Sequence, residues 1–344
     1  MSVVTSEFIH CWLDRYEHIA LVNRRRMEAL RELFQEFDQK GVEVLPLKGM
    51  DLLLRAYRGL GHRSMGDMDL LVKEEDLVKI STLLEKKGFF RQDHRRSFFT
   101  ESFADEGVDY VSKDYGLDLD ISWNVAYLDS PRSLWERRVL RETPLGPRLF
   151  LHPEDALLYL LAHPFTCRGR MRPYFLQDIE ILLEKEGVHI DWQRWCQEVE
   201  RRQLRVLIYY GLKYAREKGL TRILEEVFLS LRPRSAWDRC LVFFYTRMVT
   251  EENAPPDSYF LSLLRTPTRR GKLQLLRRAF FPPDRLIQFR RGKVPFWQRV
   301  LGGVLRPLRI LVRSFYILPR DFLRVFQPPP LTRRTGEGRT AASI

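Results

Sequence analysis

Apolar residues recur near a 3.6-residue period from residue 6 to residue 38, through Phe8, Trp12, Tyr16, Ile19, Met27, Leu30, Leu33, Phe34 and Phe37. That spacing predicts one long helix, ended by Gly41. Val42 to Leu47 reads as a short strand, and Lys48-Gly49 closes it. A helix over about 50–57 follows, then a loop punctuated by Gly59, Gly61 and Gly66. Met68 to Val72 is an apolar run of strand length, and Glu74 to Lys87 reads as a helix stopped at Gly88. Residues 89–123 alternate and are rich in aromatics, as two to four antiparallel strands would be.

After residue 150 the pattern turns helical. His152-Pro153-Glu154-Asp155 is a helix start, with proline in the first turn and acids near the N-terminus. Further helices are predicted over 172–186, 191–203, 204–218, 220–231 and 236–250. Within them Asp191 reads as an N-cap, Trp192 and Trp195 as core, and Asp178 as a buried partner for an arginine. His152 and His163 read as hydrogen-bonded residues of this half, with His163 able to line a cleft if the halves fold together. The fold class is α+β, a mixed-sheet core followed by an all-helical C-terminal half. The expected divisions are an N-terminal helical segment at 1–40, the core at 41–150 and a helical domain at 151–262. A basic amphipathic arm at 263–330 and a disordered tail at 331–344 complete the chain.

Composition narrows the class. The 344 residues are 44% hydrophobic and 30% charged, as a globular chain requires. Cys11, Cys167, Cys196 and Cys240 are far apart, which excludes a disulfide framework and a CxxC-type zinc or redox site. With no signal-like N-terminus and no long uncharged apolar window, the expected location is cytoplasmic.

Charge changes the picture more. The net +13 is not spread evenly: residues 263–344 hold 19 basic and three acidic residues, or +16, leaving −3 for residues 1–262. A nearly neutral body disfavours nucleic acid as its main substrate. In the arm, Arg299, Arg306, Arg309, Arg313, Arg320 and Arg324 recur on one helical face, interrupted by Pro307 and Pro319. Three readings stay open there: an apolar side packed on the body, a basic amphipathic segment lying on the anionic inner surface of a membrane, or a contact with nucleic acid.

The chemistry concentrates in LPLKGMDLLLRAYRGLGHRSMGDMDLLV, residues 45–72. Asp67 and Asp69, two apart at a strand, project from one face. Their mutual repulsion is resolved by divalent cations, so without metal the removal of either acid is expected to stabilise the fold. Lys48-Gly49 at a strand-to-helix turn favours phosphate. LDLDISW offers Asp118 and Asp120 on a later strand, again on one face. A phosphate turn with converging carboxylates suits two-metal phosphoryl or nucleotidyl transfer.

The order strand, Lys-Gly, helix, arginine, DxD strand, later acidic strand resembles the DNA polymerase beta-type nucleotidyltransferase superfamily. Within that superfamily it more closely resembles a bacterial branch of uncharacterised nucleotidyltransferase-like proteins. The matching segments are LPLKG (45–49), Arg63, DMDLLV (67–72), LDLDISW (117–123), HPEDALLYLLAH (152–163), QDIEILL (177–183) and IDW (190–192). The resemblance implies Mg²⁺ (or Mn²⁺) on Asp67, Asp69 and Asp118, with Asp120 as an additional candidate. It also implies an NTP triphosphate facing Lys48, Gly49, Arg63 and Ser64. The acceptor of the NMP is left open among small molecule, peptide, glycan precursor and protein. The competing reading, from a different class, is a catalytically inactive nucleotidyltransferase fold acting as a scaffold at an anionic membrane surface.

Overall fold

The computed structural model describes residues 6–92, 107–125, 131–167, 173–220 and 222–248. In the arm it describes positions 269, 272–273, 276–277, 281, 287, 294–298, 300–305, 308 and 312. The tail expected at 331–344 and the six face-aligned arginines of the arm lie outside the described residues.

The chain opens with α1 (Ser6–Gln39), whose 3.6-residue stripe buries Met27, Leu30, Leu33, Phe34 and Phe37. Gly41, at φ +64°, turns the chain into β1 (Val44–Pro46). Then come α2 (Lys48–Arg55), a 3₁₀ turn at Leu60–His62, β2 (Met68–Val72) and α3 (Leu77–Lys86). Glu74–Asp76, expected as the start of α3, form a 3₁₀ turn instead. The short β3 (Phe90–Arg91) precedes β4 (Gly107–Ser112) and β5 (Leu117–Ser122).

These strands form one mixed sheet in the order β1-β2-β5-β4-β3. β3, β4 and β5 pair antiparallel, as the alternation predicts, and β1 pairs antiparallel with β2. The β2–β5 pair is parallel. Strand alternation then sorts the side chains. Met68, Leu70 and Val72 of β2 and Leu117, Leu119 and Ile121 of β5 enter a core shared with α1 and α3. The intervening residues, Asp69 and Leu71 on β2 and Asp118 and Asp120 on β5, point to the other face, where Leu71 joins the core of the helical half.

Between sheet and helical half the chain forms α4 (Pro131–Glu136) and a two-stranded sheet of β6 (Val139–Arg141) and β7 (Arg148–Phe150). The periodicity does not signal these elements, since three-residue strands complete no pattern. The helical half follows as α5 (Pro153–Cys167), α6 (Pro173–Glu186), α7 (Trp192–Arg201), α8 (Arg205–Glu217), α9 (Glu225–Ser230) and α10 (Ala236–Met248). Asp191 caps α7 by accepting from the backbone N of Arg194 at 3.0 Å, and Trp195 is wholly buried, both as expected.

The acids that open α5 do more than complement its dipole. Glu154 pairs with Arg137 and, at 2.7 Å, with Arg194, while Asp155 lies 3.1 Å from the buried Arg202. This network ties α5 to α7 and to the segment before β6. Among the described residues no helix is long and apolar enough to cross a membrane.

Candidate active site

A cleft of about 870 Å³ opens where the acidic face of the sheet meets α1, α5, α6 and the loop 61–66. Its lining includes Lys48, Gly49, Arg63, Ser64, Asp67, Asp69 and Asp118. Of the residues predicted from sequence, Asp120 alone is absent from the lining. It stands directly opposite Asp69 in the parallel β2–β5 register, with its Oδ1 3.4 Å from Ser122 Oγ.

The four aspartates are not equivalent. Asp67 and Asp118 are exposed in the cleft wall, whereas Asp69 is 5% exposed. Lys48 Nζ donates to Asp69 Oδ1, so an ammonium already stands against the buried carboxylate. The Asp69 carboxyl is raised to about 8 in all, burial being the largest cause. Lys48 pulls it down, while the charges of Asp120 and Asp67 push it up again. Burial also opposes the charge on Lys48, but Tyr159, Asp69 and Asp120 together hold its ammonium above the ordinary lysine range. This ion pair reverses one expectation. Removing Asp69 relieves repulsion from Asp67 and Asp120 but strands a buried lysine, which costs more.

The donor set is hard carboxylate oxygen, which suits Mg²⁺ or Mn²⁺, and the Lys48 ammonium shows that cationic charge is accommodated beside Asp69. Among the described residues no three His, Cys, Asp or Glu side chains stand at the spacing of a formed metal cage.

The turn carrying Lys48 is strained and tightly supported. Lys48 has φ +53°, a conformation a non-glycine residue holds at a cost of about 1–3 kcal/mol. A Cβ on Gly49 would lie 3.0 Å from Arg63 Nη2, so glycine is what lets the guanidinium lie against the turn. Arg63 is fixed there from the helical half. Its Nε and Nη2 donate to Asp178 at 2.9 and 3.0 Å, and its guanidinium lies 4.4 Å from the Tyr174 ring centroid. Tyr57 donates to the same carboxylate at 2.8 Å. Asp178 is therefore the buried arginine partner expected from sequence, and that arginine is Arg63. Burial pushes the Asp178 carboxyl up, against the pull of Arg63 and Tyr57. His163 is buried, stacks on Tyr159 at 5.0 Å and lines the cleft.

Sequence reasoning missed the contribution of α1, from which Trp12, Arg15, Tyr16 and Ile19 line the cleft. Trp12 stacks on Tyr16 at 5.6 Å, and Tyr16 meets the His62 ring edge-on at 5.0 Å. Asn23 holds the loop against α1 by donating to the carbonyls of Leu60 and Arg63 at 2.7 and 2.8 Å. The signal for this was the pair Gly59 and Gly61. A Cβ on Gly59 would come within 2.6 Å of Tyr16 Oη, and one on Gly61 within 2.5 Å of the Tyr16 backbone oxygen. Two glycines two apart marked a close approach whose partner, 43 residues upstream of Gly59, the sequence did not name.

The model of the uncharacterised nucleotidyltransferase family matches residues 2–218, from α1 to the end of α8. No curated protein matches the chain. Among solved structures, the chain is similar to the crystal structure of JHP933 from Helicobacter pylori. The two are 15% identical, the match covers 65% of this chain and 91% of that one, and the TM-score is 0.32.

Proposed function

This chain belongs to the uncharacterised nucleotidyltransferase family, and we propose that it is a metal-dependent enzyme moving an NMP from an NTP to an acceptor, with pyrophosphate leaving. The observation that carries the reading is one cleft lined by the Lys48-Gly49 turn and by Asp67, Asp69 and Asp118. In this reading the three carboxylates hold Mg²⁺ or Mn²⁺. The ion, when bound, supplies Lewis-acid stabilisation of charge on the transferring phosphoryl group. Lys48 and the backbone of the turn would receive the triphosphate, Lys48 exchanging its bond to Asp69 for one to phosphate. Arg63, gripped by Asp178, fixes the turn from behind Gly49. Ser64 faces the same space. The acceptor enters from the cleft mouth, and its chemistry stays open among small molecule, peptide, glycan precursor and protein.

The two β5 acids provide the test. Asp118 lines the cleft and Asp120 does not, which supports Asp118 as the third ligand. With an α-labelled NTP and Mg²⁺, Asp118→Asn is expected to lower label transfer or pyrophosphate release by about a hundredfold or more, and Asp120→Asn by clearly less. The reverse ranking would move the third ligand to Asp120, opposite Asp69. Wild-type protein that neither binds nor turns over any NTP with Mg²⁺ would leave the inactive-scaffold reading.

A second reading concerns the arm. Ile287 is buried and Val294 partly buried against the core of α1, α3 and the sheet. Beyond them Phe296, Trp297, Val300, Val304, Leu308 and Val312 are exposed, with Phe296 at 81%. That apolar surface on a segment of +16 charge supports docking to an anionic bilayer as a peripheral contact. Full-length protein is expected to sediment with phosphatidylglycerol-containing liposomes at low salt and to be released as salt rises. Deletion of residues 296–344 should abolish this and spare NTP binding. No sedimentation at low salt would refute it.

A further inference from the structure

Among the described residues three arginine or lysine side chains line the cleft: Arg15, Lys48 and Arg63. Lys48 is engaged by Asp69 and Arg63 by Asp178, which leaves Arg15 without an ion-pair partner among the described residues. Arg15 sits between Trp12 and Tyr16 on the same stretch of α1. Trp12 is 51% exposed although it belongs to a cleft wall, and its ring is presented by Tyr16, which lies nearly parallel beneath it at an interplanar angle of 25°. Tyr16 cannot drift, because Gly59 and Gly61 pack against it so closely that any side chain there would collide. An exposed aromatic ring on a fixed support, beside an exposed arginine and in the same cleft as a phosphate-suited turn, matches a ligand that is a planar ring carrying anionic groups.

We infer that Trp12 and Tyr16 form the shelf on which the base of the nucleotide stacks, with Arg15 drawing in its phosphates. This rests on the nucleotidyltransferase reading and adds to it the place where the base lies. Stacking on a ring face is tolerant of base identity, since every base has a π-face. The shelf itself therefore selects nucleotides over bare polyphosphate and discriminates little among the common NTPs. Arg15 contributes charge from outside the turn, which explains how a triphosphate is attracted while Lys48 and Arg63 are still engaged by carboxylates.

The experiment is calorimetric titration of full-length protein with the four common NTPs, and separately with inorganic tripolyphosphate, in the presence of Mg²⁺. Trp12→Ala is expected to weaken NTP binding about tenfold, the lower range of one base–aromatic contact, and to leave tripolyphosphate binding unchanged. Trp12→Phe, which keeps a ring, should restore most of the NTP affinity. Arg15→Gln should weaken NTP and tripolyphosphate alike. Because Trp12 is half exposed, thermal melting should not move, which separates lost stacking from lost folding. Wild-type NTP affinity in Trp12→Ala would overturn the shelf and leave the nucleotide reading intact, as would equal affinity of the wild type for NTP and tripolyphosphate. Binding of neither ligand by the wild type would overturn both.

Discussion

Asp67→Ala and Asp69→Ala are each expected to remove Mg²⁺-dependent nucleotidyl transfer, by about a thousandfold or more, yet to differ sharply in stability. The activity loss follows from withdrawing a hard-oxygen ligand that stabilises several kcal/mol of transition-state charge. The stability difference follows from where the acids sit. Asp67 is exposed on the cleft wall, so its removal leaves the fold within about 0.5 kcal/mol of wild type or slightly above it. Asp69 is the buried acceptor of Lys48, and its removal leaves an ammonium at 12% side-chain exposure without that acceptor, with Asp120 as the nearby acid still favouring its charge. Breaking such a pair costs about 3–5 kcal/mol. Pyrophosphate release and urea unfolding on the same preparations give the two readouts. Full turnover in both variants would show that the metal site lies elsewhere, and wild-type stability in Asp69→Ala would show that the Lys48 pair contributes nothing.

Asp178→Ala should be among the most damaging changes in the helical half, by about 3–5 kcal/mol. Its carboxylate is wholly buried and accepts from Arg63 Nε, Arg63 Nη2 and Tyr57 Oη. Alanine leaves a guanidinium and a phenol without their acceptor, in a place that water does not easily reach. Asp178→Asn keeps an acceptor oxygen but loses the charge, so it should fall between alanine and wild type. Because Arg63 lies against Gly49, NTP binding should weaken in both variants under conditions where they remain folded. A loss below about 1 kcal/mol in Asp178→Ala would mean that the pair is solvated in solution.

The sheet segment of the site was legible in the sequence because strand alternation is local. Leucine, methionine and isoleucine at every second position of β2 and β5 bury one face, and the interposed aspartates must then share the other. The order of elements around the Lys48-Gly49 turn and the cap at Asp191 were legible for the same reason, since each depends on residues within one or two turns of chain. What the acids meet on that face was not legible. The register that sets Asp120 opposite Asp69, the ammonium 21 residues away that engages Asp69, and the carboxylate 115 residues away that fixes Arg63 are all non-local. No periodicity encodes them, because they arise only when the parallel β2–β5 pairing and the docking of α6 bring distant segments together. The same holds for α1. Its 3.6-residue stripe foretold a packed helix, but only the folded chain lays Tyr16 against Gly59 and Gly61, and so turns the first half of that helix into a wall of the cleft.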